Sequence, residues 1–140
     1  MTVRKSAALL VTAALAYTSG AIAHHSFSAE FDAAKPIKVT GIVTKVEWTN
    51  PHVWFYVNVK DEATGKVTNW GAEMGPPHGL QRSGWRRETL KIGEEVSIDG
   101  FLARNGANRI NARTVTLTAT GGRPGQTLDA NSSSAGANAN

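Results

Sequence analysis

The sequence contains no cysteine, which excludes a disulfide framework and any thiolate metal site, even in a compartment that permits disulfides. It has no apolar run of membrane-spanning length. The longest, residues 7–16 (AALLVTAALA), carries Thr12 and falls well short of the roughly 20 residues a spanning helix needs. A G-x-S-x-G elbow and a phosphate-binding glycine loop are both missing. The acidic residues are scattered, so a paired-carboxylate hydrolase has no visible support. No catalytic constellation remains, and no enzymatic activity is expected. Excess charge of one sign is scarce as well: 15 Lys and Arg stand against 11 Asp and Glu. Without Arg4 and Lys5 the balance is 13 to 11, a net +2, too weak a footprint for a nucleic-acid partner.

What is there begins with a leader. Arg4 and Lys5 precede the apolar run, and a small-residue stretch ends Ala21-Ile22-Ala23. This is the three-part layout of a secretory signal peptide with an A-x-A cleavage site. The expectation is a signal peptide over residues 1–23, removed to give a periplasmic or secreted chain without a transmembrane segment. The mature chain then starts His24-His25-Ser26-Phe27. A second plausible cut after Ala21 would place His24 third from the new terminus.

The mature chain divides into an amino-terminal arm (24–34), one domain (35–118) and a tail (119–140). The tail is Gly, Ser, Asn and Ala with little to bury, so disorder is expected there. The domain reads as strands. Residues 37–48 (IKVTGIVTKVEW) are rich in β-branched side chains, with Gly41 as a bending point. Residues 53–60 (VWFYVNVK) set Val53, Phe55, Val57 and Val59 on one face and Trp54, Tyr56 and Asn58 on the other, the period of a strand. Residues 66–73 form a third strand, and residues 77–83 a short helix with Pro in its first turn. Residues 94–102 and 109–118 follow as a pair joined across Asn105-Gly106, a hairpin signal. The apolar phase of the last strand slips between Ala112 and Val115, which predicts a bulge. The order β-β-β-α-β-β predicts an all-β fold with one short helix: a five-stranded OB-fold-like Greek-key barrel, with an SH3-like barrel as competitor.

The stretches AHHSFSAEFD, VTGIVTKVEWTNPHVWFYV and LKIGEEVSIDGFLARNG resemble a family of small exported bacterial proteins of unknown function. Its members share a His-His-Ser-Phe start and an Asn-Pro-His motif. The resemblance implies export and a barrel-like domain, and it carries no activity.

Function must therefore be read from side chains. A histidine at position one offers its α-amine and its imidazole to one metal ion. A third nitrogen completes a set suited to Cu(II), which favours nitrogen ligands in tetragonal geometry. His52, in Thr49-Asn50-Pro51-His52, is the expected third ligand, with His25 as alternate. Glu73 and Asn50 are candidate supports behind the ligating ring. The other description makes His24 and His25 bystanders of processing and His52 a hydrogen-bonded turn residue. His78, in a Pro/Gly loop, is expected to be exposed. Trp54 and Tyr56, with Trp48 beside the turn, form a candidate face for a small ligand, a protein partner or the docked arm, through Phe27 and Phe31. Trp48 and Trp70 are also natural core residues. The reading is a non-catalytic binding protein, for copper at the histidines or for a protein or small ligand at the aromatic face.

Overall fold

A computed structural model of the chain describes residues 27–130. The expected signal peptide, His24, His25 and the last ten residues of the tail lie outside the described residues. Residues 27–30 are helical and lead into β1 (Phe31–Glu47), followed by β2 (Trp54–Lys60), β3 (Val67–Glu73), α1 (Pro77–Arg82), β4 (Glu95–Ala103), β5 (Arg109–Leu117) and β6 (Gln126–Asp129). No helix among the described residues is long and apolar enough to cross a membrane.

β1 is long because it serves two neighbours. It pairs with β4 up to Ile42 and with β2 from Ile42 onward. The changeover requires a close approach at Gly41, where an added Cβ would stand 2.6 Å from the carbonyl oxygen of Asn58. Thr44 is an extra residue in the β1–β2 register, between Val43 and Lys45, and adds to the bend. In β5 the register jumps from Thr114 opposite Asp99 to Ala112 opposite Gly100, so Arg113 is the bulged residue. This is the slip that the apolar phase of the sequence predicts.

The strands close a ring in the order β1-β2-β3-β5-β4-β1. Its one parallel pair joins β3 to β5, and α1 sits in the connection between β3 and β4. That is the order of the expected OB-fold-like Greek-key barrel rather than of an SH3-like one. The period-two face of β2 points inward as expected. Val53, Phe55 and Val57 are fully buried and meet Met74, Trp85, Val96, Ile98, Ile110 and Val115 in the core.

Two boundaries differ from the sequence reading. β1 starts at Phe31, inside the expected arm, because Phe31 is buried and pairs with Ala103. The barrel also claims the first part of the expected tail. β6 adds antiparallel to β5 from Thr114↔Asp129 to Leu117↔Gln126. Thr116 and Thr127 hydroxyls bond across that pair at 2.9 Å, and Ala130 is wholly buried. The physical reason is Trp85. Its ring is fully buried, and its indole N–H donates to the Asp129 carbonyl at 2.7 Å. A buried indole without an acceptor is costly, so the low-complexity segment is recruited as its partner. Arg123 fastens the same segment by donating to the Glu94 carboxylate at 2.7 Å and the Thr89 carbonyl at 3.2 Å.

Candidate functional site

Alternation along β2 puts His52, Trp54 and Tyr56 on the outer side of the barrel, opposite the buried Val53, Phe55 and Val57. On the next strand Glu73 lies opposite Trp54, and Gly71 opposite Tyr56. On the strand after that, Arg109 lies beside Gly71 in the parallel pair. The outer face of β2, β3 and the start of β5 thus collects His52, Glu73, Trp54, Tyr56 and Arg109. In OB-folds it is the face bordered by the β1–β2 and β4–β5 loops.

Its upper end is an acid–imidazole pair. His52 Nδ1 is hydrogen-bonded to Glu73 Oε1. Glu73 is only 8% exposed, whereas the His52 ring is about one-third exposed. Burial pushes the Glu73 carboxyl above its ordinary pKa; the charge and hydrogen bond of His52 oppose that rise, the charge of Glu30 adds to it, and Arg109 opposes it. An ionised carboxylate on Nδ1 fixes the ring N–H there and leaves the lone pair on Nε2. That nitrogen can take a proton, a hydrogen bond or a metal ion.

The sequence candidates sort as follows. His52 and Glu73 are brought together. Asn50 is exposed at the turn, through a cis peptide bond to Pro51, and stands outside that pair. His78 is exposed on α1. Trp48 does not join the outer face: it is 8% exposed and part of the core cluster, because its position on the turn after β1 directs it inward. Trp70 packs against the same cluster. His24 and His25 lie outside the described residues. Among the described residues no three His, Asp or Glu side chains gather as a metal site, so a metal at His52 needs donors from beyond them.

The arm does not dock on Trp54 and Tyr56. Phe27 stacks on Phe31 at 6.0 Å and meets Phe101 edge-on at 5.9 Å. The Arg104 amide donates to the Glu30 carbonyl at 2.9 Å, and Arg104 Nε to the Ser28 carbonyl at 2.5 Å. The arm therefore lies along the end of β4 and the β4–β5 loop, against Phe101, and the Arg109 guanidinium lies over Trp54 instead. It still ends near the pair, since Glu30 acts electrostatically on Glu73, and a cleft of about 160 Å³ is lined by Glu30, Phe31, Arg104 and Arg109.

Sequence reasoning missed Arg109. Its guanidinium lies over the Trp54 ring, 4.8 Å from the centroid. Beside it a groove of about 390 Å³ is lined by Trp54, Tyr56, Asn69, Gly71, Asn108 and Arg109. An added Cβ on Gly71 would come within 3.3 Å of Tyr56 Cε1 and 3.6 Å of Trp54, so the two rings lean over a floor that only glycine leaves flat. Tyr56 donates its hydroxyl proton to Glu47 at 3.2 Å, and the Lys45 ammonium sits 5.4 Å from the Tyr56 ring. The signal that could have found Arg109 is its place just after the Asn-Gly hairpin, where β5 begins at the loop that borders this face.

A family model described as "Family of unknown function (DUF6152)" matches residues 11–112. No curated protein matches the chain.

Proposed function

The chain belongs to that family of unknown function, and we propose that it is an exported, non-catalytic binding protein that holds Cu(II) between its processed amino terminus and His52. The ligands in this reading are the α-amine and ring of His24 and the Nε2 of His52, with His25 as alternate. The observation that supports it is the Glu73 carboxylate on His52 Nδ1. A carboxylate behind an imidazole orients the ring and raises its basicity, the usual arrangement behind a metal-ligating histidine. The docking of residues 27–30, with Glu30 acting on Glu73, is further support for the reading.

The test starts by fixing the mature terminus by intact mass. Cu(II) titration of the processed protein, in competition with a chromogenic chelator, is then compared with His24→Ala, His52→Ala and a form extended by one alanine before His24. Each change is expected to weaken binding about tenfold or more. Equal affinity in all four forms, or a mature terminus far downstream of His25, overturns the reading.

A second reading is favoured by a separate observation, the groove beside Arg109. In it the same outer face is an interaction surface for a protein or small ligand and needs no metal.

A further inference from the structure

The groove on the outer face carries its own chemistry, distinct from the histidine end. Two aromatic rings, Trp54 and Tyr56, line it beside Gly71, whose missing side chain leaves them room. Its volume of about 390 Å³ falls in the usual range of small-ligand sites, about 300–1,000 Å³. Asn108 and Asn69 place amide groups at its rim. The Asn69 amide already donates to Asn58 Oδ1 at 2.9 Å, which fixes its orientation and leaves its carbonyl oxygen as an acceptor. Two aromatic rings with amides in the same groove suit a saccharide, whose C–H faces lie on aromatic surfaces while its hydroxyls need donors and acceptors.

Charge narrows the class. Lys45 is tied to Glu47 in an ion pair, so its charge is spent within the protein. Arg109 has no carboxylate within ion-pair distance among the described residues. It is held instead by stacking on Trp54, which leaves the hydrogen-bonding edges of its guanidinium for a planar anion. On either side of this single cation stand acids, Glu47 by Tyr56 and Glu73 by Trp54. A phosphate backbone running along the groove would meet both carboxylates. A ring with one carboxylate, flanked by neutral hydroxyls, meets Arg109 and avoids them.

We propose that the groove formed by Trp54, Tyr56, Gly71 and Arg109 binds an acidic saccharide, a pyranose ring bearing a carboxylate, with the ring on the aromatic pair and the carboxylate on Arg109. This deepens the second reading above, since it rests on the outer face being an interaction surface. It does not depend on copper.

The experiment uses the full processed chain and follows the indole N–H resonances by NMR, with Trp54 assigned through Trp54→Phe. Three probes are titrated: methyl galacturonoside with its one carboxylate, the neutral methyl galactoside, and an eight-residue oligothymidylate. Methyl galacturonoside is expected to shift the Trp54 indole signal, with methyl galactoside about tenfold weaker. Arg109→Gln should bring the two sugars to the same affinity. Arg109→Lys should not restore the difference in full, because an ammonium lacks the planar fork. Arg109 is exposed, and an unchanged melting temperature in Arg109→Gln confirms that the fold is kept. Equal binding of both sugars to the unaltered protein at Trp54 overturns the acidic-saccharide assignment but keeps the face as an interaction surface. Preference for the oligothymidylate overturns it in favour of nucleic acid. No Trp54 response to any probe overturns the assignment and removes the support for the second reading together.

Discussion

Replacing Glu73 separates what the pair does for the fold from what it does for a ligand. The carboxylate is nearly buried and bonded to His52, and its pKa is raised, with desolvation as the leading cause. A carboxyl whose folded pKa is raised holds its proton more tightly in the folded state than in the unfolded one. Its contribution to stability is therefore fully present below the ordinary carboxylate pKa and is lost as pH rises through the folded value. Above that raised value the folded protein carries a buried charge at some cost. Glu73→Gln keeps an acceptor for the His52 N–H and removes that charge. The variant is expected to be as stable as the unaltered protein or more so at pH 7, and the gain should shrink as pH falls past the raised pKa. Glu73→Leu loses a hydrogen bond to a charged group, about 1.5–3 kcal/mol. It gains apolar burial of a similar size, about 1.5–3 kcal/mol, so its net change at pH 7 should stay within about 1 kcal/mol. Copper affinity should move differently. Loss of the carboxylate behind a ligating imidazole weakens binding about ten- to a hundredfold, about 1.4–2.8 kcal/mol, most in Leu and less in Gln. Urea unfolding at pH 4–8 and chelator competition at pH 7 measure the two quantities on the same samples. Unchanged copper affinity in Glu73→Leu, or a stability of Gln relative to the unaltered protein that falls as pH rises, refutes the reasoning.

Three further changes probe the barrel. Trp85→Phe leaves the Asp129 carbonyl without its 2.7 Å indole donor and opens space in a site with no exposure, at an expected loss of about 2–3 kcal/mol by urea denaturation. Gly100→Ala puts a Cβ 2.1 Å from the Asn111 carbonyl oxygen and 2.6 Å from Ile110 Cγ2, beside the Arg113 bulge. Overpacking of this kind costs about 1–3 kcal/mol and should lower the melting temperature by several degrees in calorimetry. Truncation after Ala119 removes β6 and should red-shift tryptophan emission as Trp85 meets water. An unshifted spectrum means that Trp85 stays buried without Asp129.

Much of the barrel was legible because period two is a local property. Val53, Phe55 and Val57 mark the inner face of β2 by sequence alone, and the phase slip before Val115 marks the Arg113 bulge. The turn chemistry at Asn105-Gly106 separates β4 from β5 in the same way. β6 was hidden because its segment is short and weakly apolar. Its place is set by an acceptor that Trp85 needs from 44 residues away in sequence. Trp48 was ambiguous for a related reason: a residue after a strand can turn either way, and the core behind it decides. Within the site, His52 stood out as a histidine at a rigid turn. Its partner depended on register, which places Glu73 opposite Trp54 only when β2 and β3 align as they do. The stacking of Arg109 on Trp54 needs the β3–β5 closure as well, a contact that no linear pattern announces. The arm followed its phenylalanines to Phe101 rather than to Trp54, because Phe31 enters β1 opposite Ala103 and carries Phe27 to the neighbouring Phe101 ring.

The most direct measurement is electron paramagnetic resonance of the processed protein loaded with one equivalent of Cu(II), with nitrogen couplings resolved by pulsed methods. The account predicts coupling to the remote nitrogen of the His52 imidazole, absent in His52→Ala while the amine and His24 signals persist. A spectrum identical in the two proteins contradicts it.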